Sequence, residues 1–160
     1  MSTANAAQSG IRLRTASADD LPAVEDLLKK TSLPVDGVED SIGSFIVAER
    51  NGRVVGVGGV ERCGEFGLLR SVAVDPLARS GGVGAAITER LIADSEATGL
   101  RALYLLTTTA EKYFPSFGFD ETPRDAVPHE IRRTAEFKDI CPSSATVMRR
   151  DLARETEKGS

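Results

Sequence analysis

The 160-residue sequence contains no tryptophan, one histidine and two cysteines, and only 5% of its residues are aromatic. Because His129 is the single histidine, the sequence favours neither a histidine-rich metal site nor a Ser-His-Asp triad. We therefore expect no metal. The two cysteines, Cys63 and Cys141, are far apart and have no CxxC spacing, which is typical of reduced thiols. We therefore predict a cytoplasmic protein.

The sequence also lacks long apolar runs and any strong charge bias. Nothing approaches the roughly 18 consecutive apolar residues of a membrane span. The net charge is −4 and there is no cluster of basic residues, so we expect neither nucleic acid nor a membrane as a partner. The small, polar segments 1–10 and 153–160 predict disordered tails, and 11–152 is long enough for one domain with its own core.

Strands and helices alternate along that domain. Apolar patterning predicts strands at 11–14, 45–48, 54–60, 66–74, 100–106 and 145–149, and a further extended piece from Phe119. Asn51-Gly52 predicts a hairpin turn, and Ser17 can cap a helix that begins at Ala18. Further helices are expected from the loop after 75 to Gly99, over 110–117, and from Pro128 to about Lys138. This order is typical of one α/β sheet flanked by helices.

The most informative segment follows the fourth of these strands. Asp75-Pro76 makes a turn, and the glycine-rich run Arg79-Ser80-Gly81-Gly82-Val83-Gly84-Ala85 then opens into a helix. Glycines let backbone N–H groups approach a ligand closely, and the helix adds four N–H donors and the positive end of its dipole. The segment therefore predicts an anion site suited to a pyrophosphate. Its spacing is neither Gly-x-Gly-x-x-Gly nor a P-loop.

The Arg79-x-x-Gly82-x-Gly84 spacing resembles the acetyl-CoA loop of the GCN5-related N-acetyltransferases (GNAT). Two further segments resemble that family in the expected order: the strand at 69–74, and Ala110 to Phe119, which matches an Ala-x-x-aromatic-aromatic-x-x-x-Gly-Phe signature. The resemblance implies the GNAT fold, a mixed central sheet splayed between strands 4 and 5 and flanked by helices. It also implies acetyl-CoA as cosubstrate.

The same resemblance implies a set of site residues. Those expected to bind acetyl-CoA are Val72, Ala73 and Val74 on the strand and Arg79, Ser80, Gly81, Gly82, Val83, Gly84 and Ala85 in the loop. A backbone N–H near Val72 is the expected oxyanion donor. The sequence departs from the family at two positions, since Leu68 stands where many relatives have a Glu base and Phe114 where many have a Tyr acid. Tyr113, Ser71, Thr107 and water all stay open as proton carriers.

A narrower resemblance concerns the acceptor. The segments 104–110, 134–137 and 141–145 resemble arsenic-resistance N-acetyltransferases, which acetylate the α-amino group of arsinothricin, a glutamate analogue. Part of this region also resembles the acetyltransferase domain of N-acetylglutamate synthases. Both imply a small glutamate-like amino acid as substrate, and family habit implies a homodimer. Two alternatives are glutamate itself as the acceptor and a non-catalytic CoA-binding sensor.

Arg70 is the main candidate for contact with the substrate. A guanidinium in an apolar strand is costly to bury unless an anion pairs with it, and it suits a carboxylate or an arsenic or phosphorus oxyanion. The alternative is a structural ion pair with a nearby acid such as Glu65. Strand alternation places Arg70 on the face of Val72 and Val74. Further substrate candidates are Ser71, Thr107, Thr108 and Ser144.

Overall fold

The computed structural model describes residues 10–108, 112–134, 137 and 145–152, with the backbone alone at 79–81. The α-helices are α1 (Leu21–Lys30), α2 (Val38–Ser41), α3 (Val83–Ala97) and α4 (His129–Arg132). The strands are β1 (Arg12–Thr15), β2 (Phe45–Arg50), β3 (Arg53–Cys63), β4 (Phe66–Val74), β5 (Ala102–Thr107), β6 (Asp120–Glu121) and β7 (Thr146–Asp151). Short 3₁₀ helices occupy Ala18–Asp20, Ile42–Ser44, Pro76–Gly81, Phe114–Phe117 and Arg124–Ala126.

The seven strands follow the order β1-β2-β3-β4-β5-β7-β6. β4 and β5 pair in parallel, whereas β1–β2, β2–β3, β5–β7 and β6–β7 are antiparallel. The predicted mixed α/β sheet is therefore confirmed. The parallel pairing runs from Phe66↔Ala102 to Leu68↔Tyr104. Both strands continue beyond this last pair, β4 to Val74 and β5 to Thr107. Strands that continue beyond their last pair are what a splay between strands 4 and 5 requires.

Residue contacts group the chain into two compact units. One comprises Met1–Gly59 and Ser71–Leu91, and the other comprises Val60–Arg70 and Ile92–Ser160. β3, β4 and α3 each contribute residues to both units. The expectation that 11–152 forms one domain stays a prediction.

The first unit is built around α1. Its apolar residues recur at helical spacing, so Val24, Leu27 and Leu28 lie on one face and are buried. They share an apolar cluster with residues of β2, β3 and β4, namely Phe45, Val47, Val57 and Ala73. The predicted hairpin between β2 and β3 is also confirmed. Asn51 and Gly52 both have positive φ, at 54° and 78°, the combination that a tight hairpin turn requires.

The second unit has its own core. Its buried cluster comprises Cys63, Leu68, Ala102, Tyr104, Val127, Ile131 and Val147. The near-continuous apolar run of β5 is explained by this burial, because Ala102, Leu103, Tyr104 and Leu105 are all buried. β5 pairs with β7 along its whole length, from Ala102↔Asp151 to Thr107↔Thr146.

Two predicted helices differ from the expectation within the described residues. Over 110–117 the described part is a single 3₁₀ turn, Phe114–Phe117, which Gly118 ends in a left-handed conformation with φ 88°. The helix expected from Pro128 to about Lys138 ends at Arg132. Thr134 explains this early end, because its hydroxyl donates to the Ile131 carbonyl (2.8 Å) and accepts the Phe137 N–H (3.2 Å). Such local bonds replace the next turn of a helix.

Candidate functional site

The turn after β4 is organised by Asp75. Its N–H donates to the Val55 carbonyl (2.8 Å), and its Oδ1 accepts the Leu77 N–H (3.0 Å). Its Oδ2 receives a charged hydrogen bond from Lys30 Nζ of α1 (3.0 Å). The Leu77 N–H, followed by Lys30, lowers the pKa of this carboxyl group. The sequence predicts a turn at Asp75-Pro76, since an Asp directly before Pro is a common start of a turn. It does not predict the two side-chain hydrogen bonds of Asp75, to the Leu77 N–H and to Lys30.

The glycine-rich run begins as a 3₁₀ helix rather than an irregular loop. The backbone of Arg79, Ser80 and Gly81 lies in that helix, and their side chains lie outside the described parts of the structure. Gly82 follows with φ 73°, and a Cβ there would have no neighbour within 4 Å. A left-handed residue in open space favours glycine and leaves room for a ligand. α3 then starts at Val83.

The first turn of α3 is held close to the sheet by glycines in β3. A Cβ on Gly56 would lie 2.7 Å from Val83 Cγ1 and 2.9 Å from Ile87 Cδ1. A Cβ on Gly58 would lie 2.7 Å from Ile87 Cγ2. These approaches are shorter than a real Cβ permits, so the absence of side chains lets α3 pack at this depth. The predicted cofactor residues Gly84 and Ala85 lie in this first turn.

Ser71 interrupts the pleat of β4. Its φ is 62°, an uncommon backbone conformation for any residue other than glycine. Arg70 before it is buried, whereas Val72 and Val74 after it are partly exposed and Ala73 is buried. Strand alternation predicts that Arg70 shares a face with Val72 and Val74. This regular alternation is interrupted, because the left-handed Ser71 turns the backbone between Arg70 and Val72.

Arg70 belongs to the second unit and is paired with an acid of β3. Its Nη1 lies 3.5 Å from Glu61 Oε1, and its side chain is only 1% exposed while that of Glu61 is 29% exposed. The ion-pair alternative named Glu65 as the acid. The structure therefore shows an ion pair of the predicted kind with a different acid, Glu61, and Glu65 pairs with Arg101 at 3.7 Å. Sequence reasoning missed Glu61 because the register between β3 and β4 decides which acid reaches the guanidinium.

The two positions that depart from the family pattern offer no acid or base. Leu68 is fully buried in the apolar cluster, and Phe114 is 8% exposed. Tyr113 is 41% exposed and its ring stands edge-on to Phe114 and Phe117, with centroids 5.1 Å apart in both cases. Its hydroxyl is therefore carried by an accessible side chain and stays a candidate acid.

The remaining predicted residues lie at the end of β5 or outside the described ranges. Thr107 is partly exposed and faces Thr146 of β7 in the pairing register, and Thr108 directly after it is exposed. Ser144 and Cys141 lie outside the described residues. Burial raises the pKa of the Cys63 thiol to about 11, so this thiol is a poor nucleophile at neutral pH.

The candidates thus fall into two groups. The first unit brings together the residues predicted for the cofactor, 72–74 and 79–85, together with Ser71. The second unit contains Arg70, Thr107, Thr108 and Tyr113. In the described ranges, no group of three or more His, Cys, Asp or Glu side chains could hold a metal ion. No helix there is long and apolar enough to cross a membrane.

Comparison with known proteins identifies the family. Residues 41–121 match the acetyltransferase (GNAT) domain. The chain belongs to the GNAT family. An amino-acid acetyltransferase of Mycobacterium tuberculosis is 31% identical over 141 residues, which cover 82% of this chain and 78% of that relative. Other relatives with the same name are longer, and this GNAT chain spans 29% of their length.

Solved structures share the fold of this GNAT chain. A Mycobacterium tuberculosis protein in complex with CoA and NLQ superposes with a TM-score of 0.76 and 26% identity, covering 89% of this chain and 99% of that one. The N-acetylglutamate synthase of Neisseria gonorrhoeae, complexed with coenzyme A and N-acetyl-glutamate, has a TM-score of 0.77. It is 22% identical, and the match covers 90% of this chain and 35% of that one. The GNAT fold that the family resemblance implied is confirmed.

Proposed function

We propose that this protein is an acetyl-CoA-dependent N-acetyltransferase that modifies the α-amino group of a small glutamate-like amino acid, with arsinothricin as its preferred acceptor. One observation carries the proposal: in a member of the GNAT family, β4 leads through the Asp75 turn and the left-handed Gly82 directly into α3. This is the geometry that an anion-binding helix start requires.

On the cofactor side, the pyrophosphate of acetyl-CoA binds the backbone N–H groups of 79–84 and the start of α3, with the Arg79 side chain as a further cation. The pantetheine arm pairs with the backbone of Val72, Ala73 and Val74. Two observations support this assignment. Gly82 has open space around it, and the 26% identical structural relative was solved with CoA.

On the acceptor side, the names of the curated relatives support an amino acid as substrate. Arsinothricin is supported by the resemblance of 104–110, 134–137 and 141–145 to arsenic-resistance acetyltransferases. Ser71, Thr107, Thr108 and Ser144 are the hydroxyl groups proposed to contact it. Arg70 was also predicted to contact the substrate, but its side chain is 1% exposed and paired with Glu61, so its guanidinium could reach a ligand only after a rearrangement.

The chemistry requires no covalent enzyme intermediate. The neutral amine attacks the thioester carbonyl, the N–C bond forms as the C–S bond breaks, and CoA leaves as its thiol. The protein contributes proximity, an oxyanion donor from the backbone N–H near Val72, and proton transfer. Tyr113, Ser71, Thr107 and water are the candidates for proton transfer to the departing sulfur.

The test is CoA thiol release with acetyl-CoA and a panel of acceptors: arsinothricin, phosphinothricin, glutamate, aspartate and a lysine-containing peptide. A reaction without any amine measures background hydrolysis. We expect the highest kcat/KM for arsinothricin. A higher kcat/KM for glutamate would make glutamate the acceptor and would leave the proposed acetyltransferase activity unchanged. Acetyl-CoA binding without thiol release for any amine would overturn the enzymatic proposal in favour of the sensor.

A further inference from the structure

Two arginines face each other across the β2–β3 hairpin. Arg50 and Arg53 flank Asn51-Gly52 and are direct partners in the antiparallel register. Residues directly opposite each other in such a pair project from the same face of the sheet, and like charges at these positions destabilise the pairing. Within the ranges that the structure describes, no ion pair joins either arginine to an acid. The end of the hairpin therefore carries two adjacent positive charges.

The nearest acids are engaged elsewhere. Glu49 directly precedes Arg50 in the chain, but its carboxylate pairs with Arg14 at 3.0 Å. Asp75 is close enough for Arg53 to act on it electrostatically, but its two oxygens already accept the Leu77 N–H and the Lys30 ammonium group. The guanidinium donors at the hairpin end are thus left for a ligand rather than for these carboxylates.

Arg50 also has a buried donor that the protein does not satisfy. Its Nε is buried and has no hydrogen-bond partner among the described residues. A buried polar group without a partner is costly, and more so when it carries charge. A guanidinium can use two N–H groups together to bind an oxyanion. An anion at this point would satisfy the Nε–H and would offset the repulsion between the two arginines.

The two guanidinium-bearing side chains share a cleft of about 130 Å³. Val55, Leu77 and Ala78 also line it, and every residue of its wall belongs to the first unit. The Val55 carbonyl accepts the Asp75 N–H at 2.8 Å, which ties the hairpin to the turn after β4. Leu77 and Ala78 lie in the 3₁₀ helix that ends with residues 79–81. The cleft has room for a group of the size of phosphate and adjoins the predicted pyrophosphate loop.

We propose that Arg50 and Arg53 form a phosphate-binding site at the end of the β2–β3 hairpin. A tetrahedral oxyanion presents oxygens in several directions, so one phosphate can accept hydrogen bonds from both guanidinium groups, whereas a planar carboxylate suits one. Gly52, between the two arginines, does not line the cleft. The phosphate has two sources, the 3′-phosphate of acetyl-CoA or free phosphate. Only the first source rests on the proposed function.

The first arm of the test compares acetyl-CoA with acetyl-3′-dephospho-CoA by calorimetry. If the cosubstrate supplies the phosphate, wild type binds acetyl-CoA about tenfold more tightly or better. In the double variant Arg50→Gln/Arg53→Gln that preference is expected to fall to about twofold or less. Arg12→Gln is the control, because Arg12 is an exposed arginine of the same unit that does not line the cleft. It should keep the wild-type preference.

The second arm titrates the protein with inorganic phosphate and follows the arginine Nε–H signals by NMR. The Arg50 signal is assigned by its absence in Arg50→Gln. We expect phosphate to shift this signal saturably, and sodium chloride of the same ionic strength to shift it much less. Arg53→Gln changes only an exposed side chain and leaves Arg50 in place. It should weaken the response of the Arg50 signal to phosphate.

The two arms decide between the sources and against the site. A preference for acetyl-CoA that the double variant loses supports the site and identifies the 3′-phosphate as its ligand. Equal affinities for the two cofactors, with a saturable phosphate shift, support a site for free phosphate. The inference is wrong if phosphate acts no differently from chloride and the preference is absent or survives in the double variant. If wild type binds no acetyl-CoA, the proposed function fails alone, and the phosphate titration still decides the inference.

Discussion

Lys30 at the end of α1 donates a hydrogen bond to Asp75, with Nζ and Oδ2 3.0 Å apart. The same carboxylate accepts the Leu77 N–H, so one side chain connects α1 to the turn that leads into the proposed pyrophosphate site. Neither residue is expected to touch the cofactor. Their arrangement determines where the turn begins.

The first prediction concerns this connection. Asp75→Ala removes the hydrogen bond to Leu77 and is expected to lower the free energy of unfolding by about 1 kcal/mol. It should also raise the acetyl-CoA Kd about tenfold, since a loosened turn must be ordered on binding. Lys30→Gln removes only a half-exposed ion pair, for which we expect less than about 1 kcal/mol and little change in Kd. Calorimetry of both variants checks this, and an unchanged Kd in Asp75→Ala would contradict it.

The second prediction separates backbone strain from ligand binding at Gly82. Gly82→Ala places a Cβ in a left-handed conformation and is expected to cost roughly 1 kcal/mol of stability. Gly52→Ala is the matched control, because Gly52 also has positive φ (78°) and nothing within 4 Å of an added Cβ. Thermal unfolding should show similar losses in the two variants. Acetyl-CoA titration should show weaker binding in Gly82→Ala alone, and equal affinities would remove Gly82 from the proposed site.

The third prediction concerns the depth at which α3 packs. Gly56→Ala introduces a Cβ 2.7 Å from Val83 Cγ1, a β-branched side chain that has little freedom to move away. We expect a loss of about 1–3 kcal/mol in the free energy of unfolding and weaker acetyl-CoA binding, because the helix start is displaced. Gly43→Ala, where an added Cβ meets nothing within 4 Å, should leave both quantities near wild type. Wild-type binding in Gly56→Ala would show that the helix position is not critical.

The fourth prediction follows from the Arg14–Asp20 pair. Arg14 donates to both carboxylate oxygens of Asp20 at 2.7 and 2.8 Å, and this interaction lowers the pKa of Asp20 to about 2. Because the pKa in the folded state lies below the unfolded value of about 3.9, the pair stabilises the fold above about pH 4 and loses its effect as the pH falls towards about 2. The Ser17 N–H also lowers this pKa, and the shift as a whole corresponds to at most about 2 kcal/mol at pH 7.

Urea denaturation of wild type and Asp20→Asn across pH 2–7 tests this sign. The difference in unfolding free energy between the two proteins should be largest near neutral pH and should shrink as the pH approaches about 2. Asp19→Asn, a change at an exposed neighbouring acid, is the control and should show no such trend. A difference that stays constant with pH would mean that Asp20 acts through shape rather than charge.

The local features of the fold were predictable from sequence. The bounds of β4, the Asn51-Gly52 hairpin and the helix beginning in the glycine-rich run each depend on residues close together in the chain, where periodicity and turn chemistry act directly. The family was predictable for the same reason, since Arg79, Gly82 and Gly84 lie within six consecutive positions.

Other features were not predictable, either because they depend on distant residues or because the local sequence shows no clear signal. Whether Glu61 or Glu65 reaches Arg70 depends on the strand register, and the left-handed Ser71 shows no local signal of the kind that glycine provides. The early end of α4 depends on how the Thr134 hydroxyl competes with the helix, a balance that helical patterning alone does not reveal.

The most direct test of the central claim is a competition experiment. Arsinothricin and glutamate at equal concentrations react with limiting acetyl-CoA, and mass spectrometry measures the two N-acetylated products, whose ratio equals the ratio of the kcat/KM values. The account predicts that N-acetylated arsinothricin predominates and that total product equals the CoA thiol released. An excess of N-acetylglutamate, or thiol release without either product, would contradict it.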